Sequence, residues 1–259
     1  GAGGNVFSFA ELARRLGPAQ PFYGLQARGL DGVHAPQTRV EDMAAHYVEA
    51  VRTVQPEGPY LLGGWSMGGA VAFEMARQLQ EQGQAVALLA LLDAPAPTAE
   101  DAQRADDELA LLAAFAQDVG LPLDRLALSA EDLQLAPRAL MAHVLQAAQA
   151  ADLMPPDVDL AQIELLFAVF KANVLARRGY SPRAHSFPLA LLRASEPAGD
   201  DAGDESLGWN DLTAGAAEIC RVPGDHYSML REPHVGRLAE ELEARLARAH
   251  EVTAGGGSR

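Results

Sequence analysis

The sequence contains a single cysteine, Cys220, among its 259 residues. One cysteine cannot form a disulfide within the chain, so the fold cannot depend on disulfide bonds, and a reducing cytoplasm suits this composition best. We expect Cys220 to be inert, because it lies in the apolar segment AAEICRV and buried thiols seldom react.

Basic residues are also few, since 20 lysines and arginines stand against 35 aspartates and glutamates, a formal net charge of −15. Nucleic-acid binding requires a basic face, so this balance argues against nucleic acid as a partner. No hydrophobic run is long enough to span a bilayer, and we expect no membrane partner. Apolar residues still make up 49% of the chain, enough for the core of one large α/β domain.

Apolar runs of strand length alternate with helical patterns. The expected strands are PFYGLQ (21–26), PYLLGG (59–64), QAVALLALLDAP (84–95), PLALLRA (188–194) and AAEICRV (216–222). The expected helices are residues 7–17, 38–55, 67–83 and 233–250, with Thr38 and Glu41 forming a capping box at the start of the second. Apolar strands between helices are typical of a mostly parallel sheet that helices cover on both faces.

The rhythm changes between about Thr98 and Pro182, where the sequence is helical and acidic and has no convincing strand. An insertion of this size between two strands is typical of a functional cap. We therefore expect an α/β core in two parts with a helical lid between them and a flexible tail after them: 1–97 and 183–250 for the core, 98–182 for the lid, and 251–259 for the tail.

The segment from Gly64 to Gly68, Gly-Trp-Ser-Met-Gly, matches the G-x-S-x-G pattern of a nucleophile elbow, with a strand expected before it and a helix after it. This pattern predicts a nucleophilic Ser66 on a strained turn, with glycines where nearby backbone leaves no room for a Cβ atom. The N–H of Met67 then lies free at the helix N-terminus, where it is a predicted donor to an oxyanion.

A serine nucleophile needs a base and an acid that orients it. Among seven histidines we favour His226, which follows the last expected strand in VPGDHYSML, and we interpret its neighbour Asp225 as a turn residue. Asp93 is favoured as the acid because it ends the buried run ALLALLD at the carboxyl end of a strand. Three competing candidates follow the next strand: Asp200, Asp201 and Asp204.

The chain resembles the terminal (type I) thioesterase domains of nonribosomal peptide and polyketide synthases, which belong to the α/β-hydrolase superfamily. The resemblance rests on FYGLQARGLDG, PYLLGGWSMGGAVAFEMARQLQEQG, LLDAPAP and VPGDHYSMLREPHV, and it extends from Gly1 to about Ala249. It implies an α/β-hydrolase fold with a helical lid. It also supports Asp93, since the acid in that family directly follows the strand after the elbow.

The same resemblance implies that residues 1–4, Gly-Ala-Gly-Gly, form the loop that supplies the second oxyanion donor. Ala2 is the expected donor and Gly3 the reserve. The family has strands before this loop that the sequence lacks, so either upstream residues have been lost or another segment fills the gap.

The implied function is release of a peptide or polyketide chain from the phosphopantetheine thioester of an acyl or peptidyl carrier protein. The chain passes to Ser66 and leaves by hydrolysis or macrocyclisation. We expect no bound cofactor and no metal, because the pantetheine arm belongs to the carrier and the sequence has no metal-ligand cluster or dinucleotide fingerprint. The alternatives are a stand-alone editing thioesterase, a generic serine esterase and, from another class, a non-catalytic interaction domain.

Overall fold

The computed structural model of the chain describes residues 1–103, 107–126, 128–129, 131–196 and 204–255. The helices are α1 (Ala10–Leu16), α2 (Val40–Val54), α3 (Met67–Glu81), α4 (Ala99–Gln103), α5 (Glu108–Asp118), α6 (Pro137–Ala150), α7 (Leu160–Arg178) and α8 (Val235–Gly255). The strands are β1 (Tyr60–Trp65), β2 (Val86–Leu92), β3 (Leu189–Ala194) and β4 (Glu218–Val222).

The four strands form a parallel sheet in the order β1-β2-β3-β4. Trp65 pairs with Leu92 and Leu92 with Leu192, so successive strands end close to the same level. Because all strands run in one direction, the residues that follow their carboxyl ends share one edge of the sheet. That edge therefore receives the segments after β1, β2 and β4, which carry Ser66, Asp93 and His226.

Both faces of the sheet are buried, because alternate side chains of one strand join different clusters. Leu89 and Leu91 of β2 pack in a cluster with α2 and α3, whereas Leu88 and Leu92 pack with α1 and α8. The continuous apolar strands in the sequence reflect this double burial. The structure thus has the helix-covered parallel sheet that the sequence predicts.

The prediction of a strand at 21–26 is wrong. This segment has no strand structure, and Tyr23 within it is 71% exposed. A strand needs a neighbouring ladder to satisfy its backbone, and β1 is the edge of the sheet that the described residues form. The apolar composition of the segment could not reveal that it lacks a pairing partner.

The expected capping box at the start of α2 is also wrong. The helix begins at Val40 and its N-cap is Arg39, whose side chain makes no capping hydrogen bond. Glu41 is therefore the second helical residue, too early to reach back to Thr38, and it forms an ion pair with Arg39 at 3.4 Å. Glu41 and Asp42 still place negative charge in the first turn, where the helix dipole favours it.

The last helix differs at both ends from the expected range of 233–250. It begins at Val235 and continues to Gly255, inside the segment 251–259 that was expected to be a flexible tail. Extending a packed helix costs less than nucleating one, which accounts for the extra turn. Residues 256–259 lie outside the described part of the chain.

The segment 98–182 carries α4 to α7, and its described residues include no strand. Helices α5, α6 and α7 pack around an apolar cluster of their own, which contains Leu111, Phe115, Leu140 and Phe167. No helix among the described residues is long and apolar enough to cross a membrane.

A buried carboxylate ties the end of this segment to the core. Glu74 of α3 is 1% exposed and accepts a hydrogen bond of 2.8 Å from the Tyr180 hydroxyl. Arg77 donates two more of 2.7 Å. Burial opposes ionisation of Glu74, but these donors outweigh it and hold the pKa of the carboxyl below its ordinary value. The hydrogen bond between Tyr180 and Glu74 therefore anchors the segment after α7 on α3, the helix that follows Ser66.

We predict that Tyr180→Phe destabilises the fold, because it leaves a buried carboxylate short of one donor. The expected loss in free energy of unfolding is about 1.5–3 kcal/mol, measured by urea denaturation. Tyr47→Phe is the matched control, since the Tyr47 hydroxyl makes no hydrogen bond with any described residue. Equal effects of the two substitutions would contradict the prediction.

Candidate active site

Ser66 lies on a sharp turn between β1 and α3, with φ 56° and ψ −129°. This conformation is strained for a residue with a side chain. Backbone hydrogen bonds hold it in place: the Ser66 N–H donates to the Leu92 carbonyl at 3.1 Å, and the Gly69 N–H donates to the Ser66 carbonyl at 3.0 Å. The turn therefore presents the hydroxyl at the N-terminus of α3.

Glycines make this turn possible, although not all of those in the motif are needed for space. A Cβ atom on Gly64 would lie 2.1 Å from the Gly68 carbonyl oxygen, and one on Gly69 would lie 2.4 Å from the Ala94 Cβ. A Cβ atom on Gly68 would meet nothing within 4 Å. Steric crowding accounts for Gly64 and Gly69, and the expectation of crowding at Gly68 is wrong.

Met67 is the first residue of α3, and its side chain is buried. The N–H groups of the first helical turn have no acceptor within the helix. The N–H of Met67 thus lies beside Ser66 and is free to bind an anion, at the end of the helix where the dipole favours negative charge.

Asp93 follows β2 in a second positive-φ conformation, with φ 42°. One carboxylate oxygen accepts a hydrogen bond of 3.0 Å from the Ala194 N–H, and the other lies 2.7 Å from Nδ1 of His226. Burial opposes ionisation, but the bonds from His226 and Ala194 outweigh it and lower the pKa of Asp93 below its ordinary value. The carboxylate is therefore ionised at neutral pH and oriented by both bonds.

The His226 ring is held between this carboxylate and the elbow. It stacks on the ring of Trp65 with centroids 5.1 Å apart, and Trp65 Nε1 donates a hydrogen bond of 3.0 Å to the His226 carbonyl. Because Trp65 directly precedes Ser66, these contacts bring the imidazole next to the serine. No hydrogen bond joins Ser66 to His226 in this structure, both residues being among those described.

Among the rival acids only Asp204 is described, and its carboxylate makes no hydrogen bond with His226. The Asp204 carboxylate accepts hydrogen bonds from the Ser206 N–H and hydroxyl and from the Gly208 N–H at 2.6–2.8 Å. Asp200 and Asp201 lie outside the described residues. Asp225 accepts from the N–H groups of Tyr227 and Ser228, which is the turn role expected for it.

The remaining predicted residue, Ala2, lies in a turn closed by a hydrogen bond of 3.1 Å from the Gly4 N–H to the Gly1 carbonyl. A Cβ atom on Gly1 would lie 2.5 Å from the Trp65 ring, so this turn packs directly against the residue before Ser66. Two residues that sequence reasoning missed also contact the turn, Asn173 of α7 and Asp118 of α5. Neither residue belongs to a motif. The only feature of the sequence that could have indicated them is a polar residue in a mostly apolar helical segment.

Other features of the described residues lie apart from this constellation. An apolar cavity of about 290 Å³ lies among α5, α6 and α7, and its lining includes none of Ser66, Asp93 and His226. No group of three or more metal-binding side chains occurs in the described ranges. Cys220 is half-buried, and burial raises the pKa of its thiol.

Comparison with known proteins decides the family. A family model of the thioesterase domain matches residues 1–246. The chain belongs to the thioesterase domain family. The sequence-based predictions of a thioesterase and of the α/β-hydrolase fold are thereby confirmed, and this thioesterase domain is an enzyme of acyl-thioester chemistry.

The chain spans only a small part of the length of the large synthases that it matches. A dimodular nonribosomal peptide synthase from Bacillus subtilis (strain 168) is 47% identical over 116 residues, which cover 44% of this chain and 5% of that protein. A solved four-domain nonribosomal peptide synthetase, holo-AB3403, is 34% identical with a TM-score of 0.84, covering 94% of this chain and 18% of that one. The solved NocB thioesterase domain is 24% identical with a TM-score of 0.65, covers 95% of this chain and 91% of that one, and supports the fold.

We predict that Gly64→Ala destabilises the domain and that Gly68→Ala does not. An alanine at position 64 forces backbone of the elbow to move, with an expected fall in Tm of about 4–10 °C. At position 68 the methyl group enters open space, and alanine favours a helix by about 0.5–1 kcal/mol over glycine. Thermal unfolding followed by circular dichroism measures both variants. A Gly68→Ala variant as unstable as Gly64→Ala would contradict the prediction.

Proposed function

We propose that this thioesterase domain releases a finished peptide or polyketide chain from a carrier protein, using Ser66 as nucleophile, His226 as general base and Asp93 as the acid that orients the base. The observation that carries the proposal is the 2.7 Å bond between Asp93 and His226, with the imidazole stacked beside the residue that precedes a strained Ser66. The large relatives support the substrate class, since two of them are nonribosomal peptide synthases.

The first step transfers the acyl chain to the enzyme. His226 Nε2 removes the proton of the Ser66 hydroxyl as the serine oxygen attacks the thioester carbonyl carbon. Asp93 accepts the hydrogen bond from Nδ1, which fixes the tautomer that leaves Nε2 as acceptor and stabilises the imidazolium. The bond between Ser66 and His226 then forms when substrate binds, as is common where the free enzyme holds the pair apart.

The tetrahedral intermediate carries a negative oxygen, which the N–H groups of Met67 and Ala2 are proposed to bind. Met67 contributes the free N–H at the start of α3, where the helix dipole adds to the interaction. Collapse of the intermediate breaks the carbon–sulfur bond, and the leaving thiolate takes the proton from His226. The products are the acyl ester of Ser66 and the free thiol of the pantetheine arm.

The second step releases the chain. His226 deprotonates a second nucleophile, which attacks the ester carbonyl and returns the Ser66 hydroxyl with the proton. Water gives a free acid, whereas a hydroxyl or amine of the chain itself gives a ring. We propose that residues 98–182 act as a lid, because they begin shortly after Asp93 and their helices pack against the turn that carries Ala2. A lid that excludes water favours cyclisation over hydrolysis.

The carrier protein and its phosphopantetheine arm are the proposed partner and the proposed source of the thioester. No cofactor of the domain itself takes part in either step, because serine, histidine and aspartate supply the nucleophile and the proton transfers. An acyl or peptidyl carrier of the same synthase is the partner that the relatives support.

We predict that Asp93→Asn lowers kcat for thioester hydrolysis by about 10³–10⁴-fold, because the amide no longer fixes the imidazole tautomer. The control is Asp204→Asn, which alters the rival acid and is expected to retain activity. Both variants are assayed by release of free thiol from an acyl thioester. Loss of activity in Asp204→Asn with retention in Asp93→Asn would reverse the assignment.

We predict that a serine-directed phosphonate adds one adduct to the protein, seen by intact mass, and that Ser66→Ala gains none. The same protein should prefer a carrier-bound acyl thioester over an aryl ester of the same acyl group by about tenfold or more in kcat/KM, because remote binding energy contributes to the transition state. Equal rates on both substrates would favour a generic esterase. A folded wild-type protein without an adduct would overturn the proposed function and favour the interaction domain.

A further inference from the structure

Asn173 is a buried polar side chain in an apolar setting. It lies on α7 and is 3% exposed, and apart from the Tyr180 hydroxyl it is the only buried polar or charged group of a side chain among the described residues of 98–182. An amide buried without partners destabilises a fold, so such a residue persists where it makes a specific contact.

Its contact is with the turn at residues 1–4. Asn173 Nδ2 donates a hydrogen bond of 2.8 Å to the Ala2 carbonyl, although 171 positions separate the two residues in sequence. Gly4 has a positive φ of 72°, and a Cβ atom there would lie 3.1 Å from the same Nδ2. The turn therefore fits closely around the amide of Asn173.

The opposite side of the same peptide unit faces α5. In a trans peptide the carbonyl and the following N–H point in opposite directions, so the N–H of Gly3 points away from Asn173. A Cβ atom on Gly3 would lie 2.3 Å from Oδ2 of Asp118, so the Asp118 carboxylate lies directly against the backbone of Gly3. Two helices of the insertion thus meet at one peptide unit, Asn173 by a hydrogen bond to its carbonyl and Asp118 by close contact with Gly3.

We propose that Asn173 is a positioning residue for the oxyanion hole. By holding the Ala2 carbonyl it fixes the turn at residues 1–4, and with it the N–H of Ala2 in the preceding peptide, so that this N–H faces the reacting carbonyl. The Asp118 carboxylate occupies the space beside Gly3, which favours Ala2 over Gly3 as the donor. This inference rests on the proposed function and assigns to the helical insertion a part in the chemistry, through a residue that does not touch substrate.

The proposal has a kinetic signature. A donor to the oxyanion stabilises the transition state more than the bound substrate, so its misplacement lowers kcat and leaves KM nearly unchanged. A general loosening of the fold instead lowers the fraction of active enzyme and the Tm together.

The test uses Asn173→Leu, which keeps similar size and removes the donor, and Asn173→Ala, which removes the whole amide. Either variant that folds should lose about 10–100-fold in kcat on a carrier-bound acyl thioester, with KM within about threefold. Leu242→Ala is the control: it removes packing from α8 on the other face of the sheet, and it should lower the Tm without lowering kcat of the folded enzyme. A folded Asn173 variant with wild-type kcat would overturn the proposal.

A second readout separates this proposal from the proposed function. Hydrogen–deuterium exchange of the peptide that contains residues 1–9 should quicken in the Asn173 variants and stay unchanged in Leu242→Ala, because the turn loses a hydrogen bond in the former alone. Unchanged exchange would overturn the positioning role whatever the activity. A wild-type protein that turns over no thioester would overturn the proposed function, and with it the kinetic role of Asn173, while exchange would still report whether Asn173 holds the turn.

Discussion

The hydrogen bond between Asp93 and His226 depends on the whole sheet, because it joins residues 133 positions apart in sequence. Asp93 follows β2 and His226 follows β4, with β3 between these strands, so the bond forms only if all three run parallel and end close to one level. The N–H of Ala194, the last residue of β3, supplies the second bond to the carboxylate. A buried aspartate without these two donors would have a raised pKa, since burial alone favours the neutral form. Correct pairing of the strands therefore keeps Asp93 ionised and directs it at the imidazole.

Trp65 connects this pair to the elbow. Its ring stacks on the imidazole, its Nε1 donates to the His226 carbonyl, and its other contacts include the turn that begins at Gly1. The large, rigid side chain of Trp65 thus fixes the distances between three segments: the elbow at Ser66, the loop that carries His226 and the turn that begins at Gly1. The strain at Ser66 persists because the residues on either side are held, Trp65 by these contacts and Met67 by the start of α3.

The sequence predicts the structural features that a short segment determines. It fails for features that depend on residues far away in sequence. Apolar runs, the glycines around Ser66 and the positions of Asp93 and His226 after strands were readable because each is a property of a short segment. The strand expected at 21–26 failed because strand formation depends on a partner, which no short segment specifies. The capping box at Thr38 failed by one residue, the usual error at helix boundaries. The contacts of Asn173 and Asp118 with the turn at residues 1–4 could not be foreseen, because each joins residues far apart in sequence.

The helical insertion contacts the rest of the protein in different ways along its length. These differences determine which of its helices costs more free energy to displace. Asn173 lies in the carboxyl-terminal half of α7, and Tyr180 follows the helix. Both side chains are buried, and both donate hydrogen bonds to residues outside the insertion. Displacing this end of α7 therefore leaves polar groups unpaired and away from water. Ala2 also packs against the apolar cluster of α5, α6 and α7. Helix α5 meets the turn at residues 1–4 through Asp118, which is partly exposed and can exchange its protein contact for water. The resistance to opening therefore lies at α7, the helix that also holds the Ala2 carbonyl. Displacement of α5 alone leaves the bond from Asn173 in place and moves Asp118 away from Gly3, whereas displacement of α7 releases the turn itself.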